Sequence, residues 1–149
     1  MITEEELLGL WEDDARLNKE NLTDESLRIA SLHPKYLRIL MQSKRERAKL
    51  QNSYDKTKHL ITRYYHGTME KVEMDKFGLA YDPFNGASKP LKSNMGPWID
   101  NDVRMQRAYS KLSEGNDIVS AIEEIINTIR WRHNAIKNIL ESKKFDAGF

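Results

Sequence analysis

The sequence predicts an all-α protein: a helical N-terminal bundle, a long C-terminal helix for oligomerisation, and a Pro/Gly-rich connecting loop. Three observations carry this expectation. Apolar residues recur at alternating four-three spacing along two long stretches, the period of a helix face. Helix-breaking residues are gathered in one place, with Pro83, Pro90, Pro97, Gly86 and Gly96 all between residues 82 and 97. Hydrophobic residues make up 39% and charged residues 32%, the balance of a surface-rich helical chain or of one that covers apolar surface on assembly.

The elements follow in order. Residues Thr3 to Leu17 read as a short helix, with Thr3 as N-cap and Glu6 completing a capping box; Leu7, Leu10, Trp11 and Leu17 form its apolar side. Thr23 is placed to cap a second helix, whose first turn holds Asp24 and Glu25, where the helix dipole favours acids. Pro34 is expected to interrupt or kink that helix and to start another at its first turn. From Lys35 to His66 nothing breaks the pattern. Tyr36, Leu40, Leu50, Tyr54, Ile61 and Tyr64 form a packing stripe with polar gaps at Ser43, Arg47 and Thr57, and Gly67 stands where a C-terminal cap belongs. Residues 82–99 are expected to be loop. Asp100 or Asp102 caps a helix through Leu112, with a break or fresh cap over Ser113 to Asp117. Beyond it Ile118, Ile122, Ile125, Ile129, Ile136 and Ile139 fall on one stripe, interrupted by Arg132 and widened by Val119, Ala121, Ile126 and Leu140. So many isoleucines at these positions favour a seam between copies of the chain; the alternative is packing on the chain's own helices. The expected division is a basic helical DNA-binding region at 1–81, the loop at 82–99, and an oligomerisation region at 100–149.

Net charge is only +1, but charge is sorted along the chain. Met1 to Glu25 carries nine acids and two bases; Lys35 to Arg63 carries nine bases against Glu46 and Asp55. A basic block beside an acidic one is a phosphate-binding strip, or else a solvated face with internal charge pairing.

Catalytic and metal chemistry is not indicated. With no cysteine, disulfides and thiolate metal sites are excluded. No glycine is followed by Lys and then Ser or Thr, so an ATP-cradling loop is absent; Gly86-Ala87-Ser88-Lys89 is a distant look-alike. His59 and His66 are about 10 Å apart along a helix, too far to share a metal. The acid clusters at Glu4 to Glu6 and Glu12 to Asp14 point to different helix faces. No metal, cofactor or catalytic residue is expected. The acidic stretch Met1 to Glu6 is not a signal peptide, and no apolar run approaches the roughly 20 residues of a membrane span, so no membrane partner is expected.

What remains is binding. Arg63-Tyr64-Tyr65-His66 and Arg130-Trp131-Arg132-His133 mix aromatic rings with cations, a combination that stacks bases and holds phosphates. Tyr64 sits on the packing stripe, so Tyr65 is the expected base contact. The expected DNA-binding residues are Lys44, Arg45, Arg47, Lys49, Lys56, Lys58, Arg63 and Tyr65.

At these residues the chain resembles the UvsY family, the recombination mediators of T-even-type phages. The tail Arg132-His133-Asn134-Ala135-Ile136-Lys137-Asn138-Ile139, followed by Phe145-Asp146-Ala147-Gly148, is similar to the family's C-terminal signature. Tyr64-Tyr65-His66-Gly67 is similar to its Tyr-Tyr-x-Gly helix end. Asp100-Asn101-Asp102-Val103 and the run from Tyr36 to Leu40 fall at matching spacing. The likeness covers most of the chain, least in the proline segment. It implies a non-enzymatic protein of the infected host cell's cytoplasm that binds single-stranded DNA and forms a closed ring through its C-terminal helix, of about six or seven subunits. It also implies assistance in displacing a single-strand-binding protein and loading a recombinase, in recombination, replication and repair. The family's DNA-contacting basic pair lies just before the two tyrosines; here His59 and Ile61 stand in register, with Lys58 and Arg63 the nearest bases. The alternative function is a helical scaffold or adaptor whose basic strip binds an acidic protein.

Overall fold

A computed structural model of the chain describes residues 1–148; Phe149, the last residue of the expected oligomerisation region, lies outside them. The described residues are helical with no strand: α1 (Glu4–Asp14), α2 (Leu22–His66), α3 (Lys71–Lys76), a 3₁₀ turn at Lys92–Asn94, α4 (Gly96–Asp100) and α5 (Val103–Asp146). The all-α expectation holds. No helix is long and apolar enough to cross a membrane, among the described residues.

Local chemistry explains most boundaries. The capping box at α1 is formed: Glu6 N–H donates to Thr3 Oγ1 at 3.1 Å, and Thr3 N–H to Glu6 Oε2 at 2.9 Å. At the far end of α1, cations answer the free carbonyls. Arg28 donates to the carbonyls of Asp14 and Arg16 at 3.0 and 2.6 Å, and Arg132 to that of Ala15.

Three expectations are corrected. Asn21, not Thr23, caps α2: its Oδ1 accepts from Asp24 N–H at 3.2 Å, and its amide donates to the Asp24 carboxylate at 2.6 Å. Asn ranks above Thr at this position. Pro34 does not start a new helix; it lies inside the continuous 45-residue α2. Proline removes a bond to the carbonyl of Ala30, but both residues face solvent, where water takes the place of the lost N–H, while Ile29, Leu32 and Tyr36 stay packed on the opposite side. Nor does Ser113 to Asp117 break α5, which runs through it for 44 residues; a helical glycine costs only about 1 kcal/mol, and buried Leu112 and Ile118 flank it.

The chain forms two compact units, one of Met1–Arg47 with the chain from Gly115 onward, the other of Ala48–Glu114. The core of the first holds Leu7 of α1, Ile29, Leu32, Tyr36 and Leu40 of α2, and Ile118, Val119, Ile122, Ile125, Ile126, Ile129 and Ile136 of α5. Fully buried Tyr36 is satisfied: its hydroxyl donates to Asp14 Oδ2 at 2.9 Å, an oxygen that also receives Lys35 at 2.6 Å. Burial opposes charge on Asp14, but these bonds and nearby Arg28 outweigh it and hold its carboxyl below the usual range.

The second core gathers Ile61, Tyr64 and Tyr65 at the end of α2 with Met69, Met74, Leu79, Phe84, Met95, Ile99 and Met105. Helix α2 stops in a Schellman motif: Gly67 takes φ +75°, its N–H bonds Tyr64 O at 3.3 Å, and Thr68 N–H bonds Arg63 O at 3.1 Å. Part of the segment expected as loop is ordered. Asp82 accepts from the backbone of Phe84 and Gly86 at 2.9 and 2.7 Å, and Met95 and Ile99 drive the 3₁₀ turn and α4 inward.

Candidate nucleic-acid interface

The basic residues on α2 are best taken unit by unit. In the first unit, Lys44 and Arg45 are exposed and Arg47 half-buried. Lys44 Nζ lies 3.4 Å from Glu123 Oε1, both well solvated, a pairing worth about 0–1 kcal/mol. Arg45 and Arg47 have no salt bridge among the described residues. The same unit contains the tightest answer to the acidic N-terminal stretch, Lys35 against Asp14. Charge pairing within this unit is therefore real, reaching Lys35 and, more loosely, Lys44, but not Arg45 or Arg47.

In the second unit, Lys49, Lys56 and Arg63 recur every seven residues on α2, which places them on one helix face about 10 Å apart in sequence order. Lys49 and Lys56 are exposed. Arg63 is partly buried and already paired, its Nη2 2.7 Å from Glu73 Oε2. Lys58, also exposed, lies one turn after Tyr54 and so nearer the packed side. Lys56 and Lys58 have no salt bridge among the described residues.

Tyr65 is corrected as a base contact. It is 7% exposed, its ring lies 5.3 Å from that of Tyr64 and 5.8 Å from that of Phe84, and its hydroxyl donates to Asp102 Oδ2 at 2.8 Å. Burial, then the carboxylate beside it, pushes the Tyr65 hydroxyl up to about 12. A ring so enclosed offers no face to a base. The reason was not visible in the helix period: segments after α2 fold back over it. Asp102 also caps α5, accepting from Arg104 N–H at 2.8 Å and from its guanidinium at 2.9 and 2.7 Å. Burial opposes charge on Asp102, but the bonds from Arg104 and Tyr65 prevail and hold its carboxyl at about 2.

An exposed aromatic residue does sit beside the basic helix in this unit. Tyr109 of α5 is 62% exposed, with its ring 6.4 Å from that of Tyr54. The two line an open cavity of about 520 Å³ together with Asp100, Met105 and Gln106. Its signal was legible: Arg107-Ala108-Tyr109-Ser110-Lys111 is the same mixture of cations and aromatic that drew attention to Tyr65.

Of the expected oligomer seam, Ile118, Ile122, Ile125, Ile129 and Ile136 are at most 6% exposed within the chain's own core. These five have no surface left to offer a second copy. Ile139 is 44% exposed, and Trp131 beside the stripe is 75% exposed. The other apolar residues standing open in this unit include Leu27, Leu37 and Met41, spaced with Ala30 and Pro34 at alternating three and four residues on one face of α2. In the second aromatic-cation cluster, Arg132 turns inward, its guanidinium 5.4 Å from the Trp11 ring, while Trp131 points out. No group of three or more His, Asp or Glu side chains is placed to hold a metal among the described residues.

Comparison with known proteins gives a consistent outcome. The model of a family described as recombination, repair and ssDNA binding protein UvsY matches residues 10–149. Crystal structures of the bacteriophage T4 recombination mediator protein UvsY match across nearly the whole length. One, of lattice type II, has a TM-score of 0.79 at 19% identity, covering 99% of this chain and 100% of that one. Another, of lattice type IV, has a TM-score of 0.72 at 16% identity, covering 97% and 99%. At these identities the likeness is one of fold. No curated protein matches the chain.

Proposed function

Because this chain belongs to the UvsY family, we propose that it acts as a recombination mediator, a binding protein rather than an enzyme, that grips single-stranded DNA as a homo-oligomer. On this reading it displaces a single-strand-binding protein and helps a recombinase load. The observation that carries the proposal is the solvent-facing cationic side of α2, with Lys56 and Lys58 unpaired among the described residues. Such a side binds phosphates without reading sequence. Tyr109 is the stacking partner in place of Tyr65. Each protomer offers a weak grip, and an oligomer multiplies weak grips by effective concentration. Region 1–81 supplies most of the cations. Region 100–149 contributes to assembly through exposed Trp131 and Ile139, opposite the apolar side of α2 at Leu27, Leu37 and Met41 in a second copy.

A titration of labelled oligonucleotide followed by polarisation, with mass measured by light scattering, tests this. Affinity that falls steeply with salt, stronger for long strands than short, is expected. Absence of binding at low salt overturns it. The adaptor reading has one observation in its favour: Lys44 and Arg63 already accept carboxylates as partners. It predicts binding to acidic polypeptide in preference to DNA.

A further inference from the structure

The cationic face of α2 ends at a cavity to which the proline-rich segment contributes. Its volume is about 610 Å³, and its walls include Arg63 and His66 from the last turn of α2 and Lys89 and Lys92 from the segment that returns over it. No carboxylate lines it. Glu73 neutralises Arg63, which leaves Lys89 and Lys92 as excess positive charge. Thr62 adds a hydroxyl to the wall, while that of Thr68 is already spent on the Arg63 carbonyl at 3.3 Å. One hydrogen bond holds Lys89 in place: its Nζ donates to the carbonyl of His66 at 3.2 Å, an acceptor left over at a helix C-terminus. The same Nζ lies 3.2 Å from where a β-carbon on residue 67 would stand, so glycine there eases this approach besides taking the left-handed turn. Lys92 is exposed, and its side chain has no hydrogen bond or salt bridge among the described residues.

An open, carboxylate-free cavity with two surplus ammonium groups and the Thr62 hydroxyl beside them is suited to a phosphate. It also continues the row Lys49, Lys56, Arg63, so a strand following that row reaches it next. We propose that this cavity receives a backbone phosphate of bound single-stranded DNA, with Lys89 and Lys92 as binding residues. The proline-rich segment is then part of the DNA site and not a passive connection. This inference rests on the reading of the protein as a single-strand binder.

The test compares wild type, Lys92→Ala, and Lys89→Ala with Lys92→Ala, by polarisation titration of a labelled oligonucleotide over a range of salt. Each lost phosphate contact flattens the slope of log affinity against log salt by about 0.7. The double variant, which loses the one phosphate the cavity holds, is expected to flatten the slope by about 0.7 and the single variant by less. Helix content and oligomer mass are expected to be unchanged for Lys92→Ala, which has no contact to break. Lys89→Arg, which keeps the charge and the bond to His66, is expected to retain the wild-type slope. Binding of inorganic phosphate is followed in parallel by calorimetry. If the double variant loses inorganic phosphate while its DNA slope stays at the wild-type value, the cavity takes the free ion and the proposal is overturned. If wild type and both alanine variants bind DNA alike, the proposal falls and the single-strand reading stands. If wild type itself binds no DNA, both fall together.

Discussion

The hydroxyl of Tyr65 donates to Oδ2 of Asp102 at 2.8 Å, across 37 residues of sequence and inside the second core. One carboxylate thereby fixes the end of α2 and the start of α5. Removing it in Asp102→Ala takes away an N-cap, worth about 1 kcal/mol, and leaves a buried hydroxyl without an acceptor, at about 1–3 kcal/mol. Urea denaturation is expected to show a loss of about 2–4 kcal/mol with little change in the slope of the transition.

The same carboxylate makes stability depend on acid. Its folded value of about 2 lies below the ordinary value of 3.8, so the native state favours the ionised form. That contribution is fully present above about pH 4 and lost as pH falls towards 2; the lowered Asp14 acts in the same direction. Acid unfolding followed by circular dichroism should show stability declining through this window. In Asp102→Asn the decline should be shallower by about 2 kcal/mol.

The isoleucine stripe is predicted to respond as core. Ile122, fully buried, should cost about 2–5 kcal/mol as Ile122→Ala. Ile125→Glu places a charge among aliphatic side chains and should abolish cooperative folding. A well-folded Ile125→Glu protein with altered mass alone would reverse this reading and restore the stripe as a seam between copies.

What was legible in the sequence was whatever is local. Thr3 and Glu6 announce a capping box because both partners lie within one turn. Gly67 announces a helix end because only a left-handed residue closes it there. Pro34 and the stretch Ser113 to Asp117 suggest breaks that do not form, because their cost is small and local, whereas the apolar residues around each are packed by distant segments. Tyr65 reads as an exposed base contact and is buried for a related reason. The helix period separates its ring from the stripe of Tyr64, and nothing nearby reveals that Phe84 and Asp102 enclose it. The stripe from Ile118 to Ile136 was recognised as apolar and continuous, but periodicity does not say whose helix covers it.

Assembly through the exposed apolar side is tested by Leu37→Glu with Met41→Glu. Both residues are substantially exposed, at 42% and 50%, so stability should change by no more than about 0.5 kcal/mol per site. Light scattering should show a smaller particle. Unchanged mass would exclude this face.

The α2 cations should separate by their partners. Lys56→Ala with Lys58→Ala is expected to flatten the salt slope for oligonucleotide binding by up to about 1.4 and to leave the melting curve alone. Arg63→Ala should disturb both, because it also strands the carboxylate of Glu73. Equal stability loss in the two variants would mean that Lys56 and Lys58 support the fold.

A protomer that fills its own core with Ile118 to Ile136 needs no neighbour to cover that stripe. Where copies associate, they part as folded bodies, at the rate at which surface contacts break and not at the far slower rate of global unfolding. Mixed populations of tagged and untagged protein should therefore scramble under native conditions. On the proposed reading, subunit exchange of this kind would let an assembly open around a strand that has no free end.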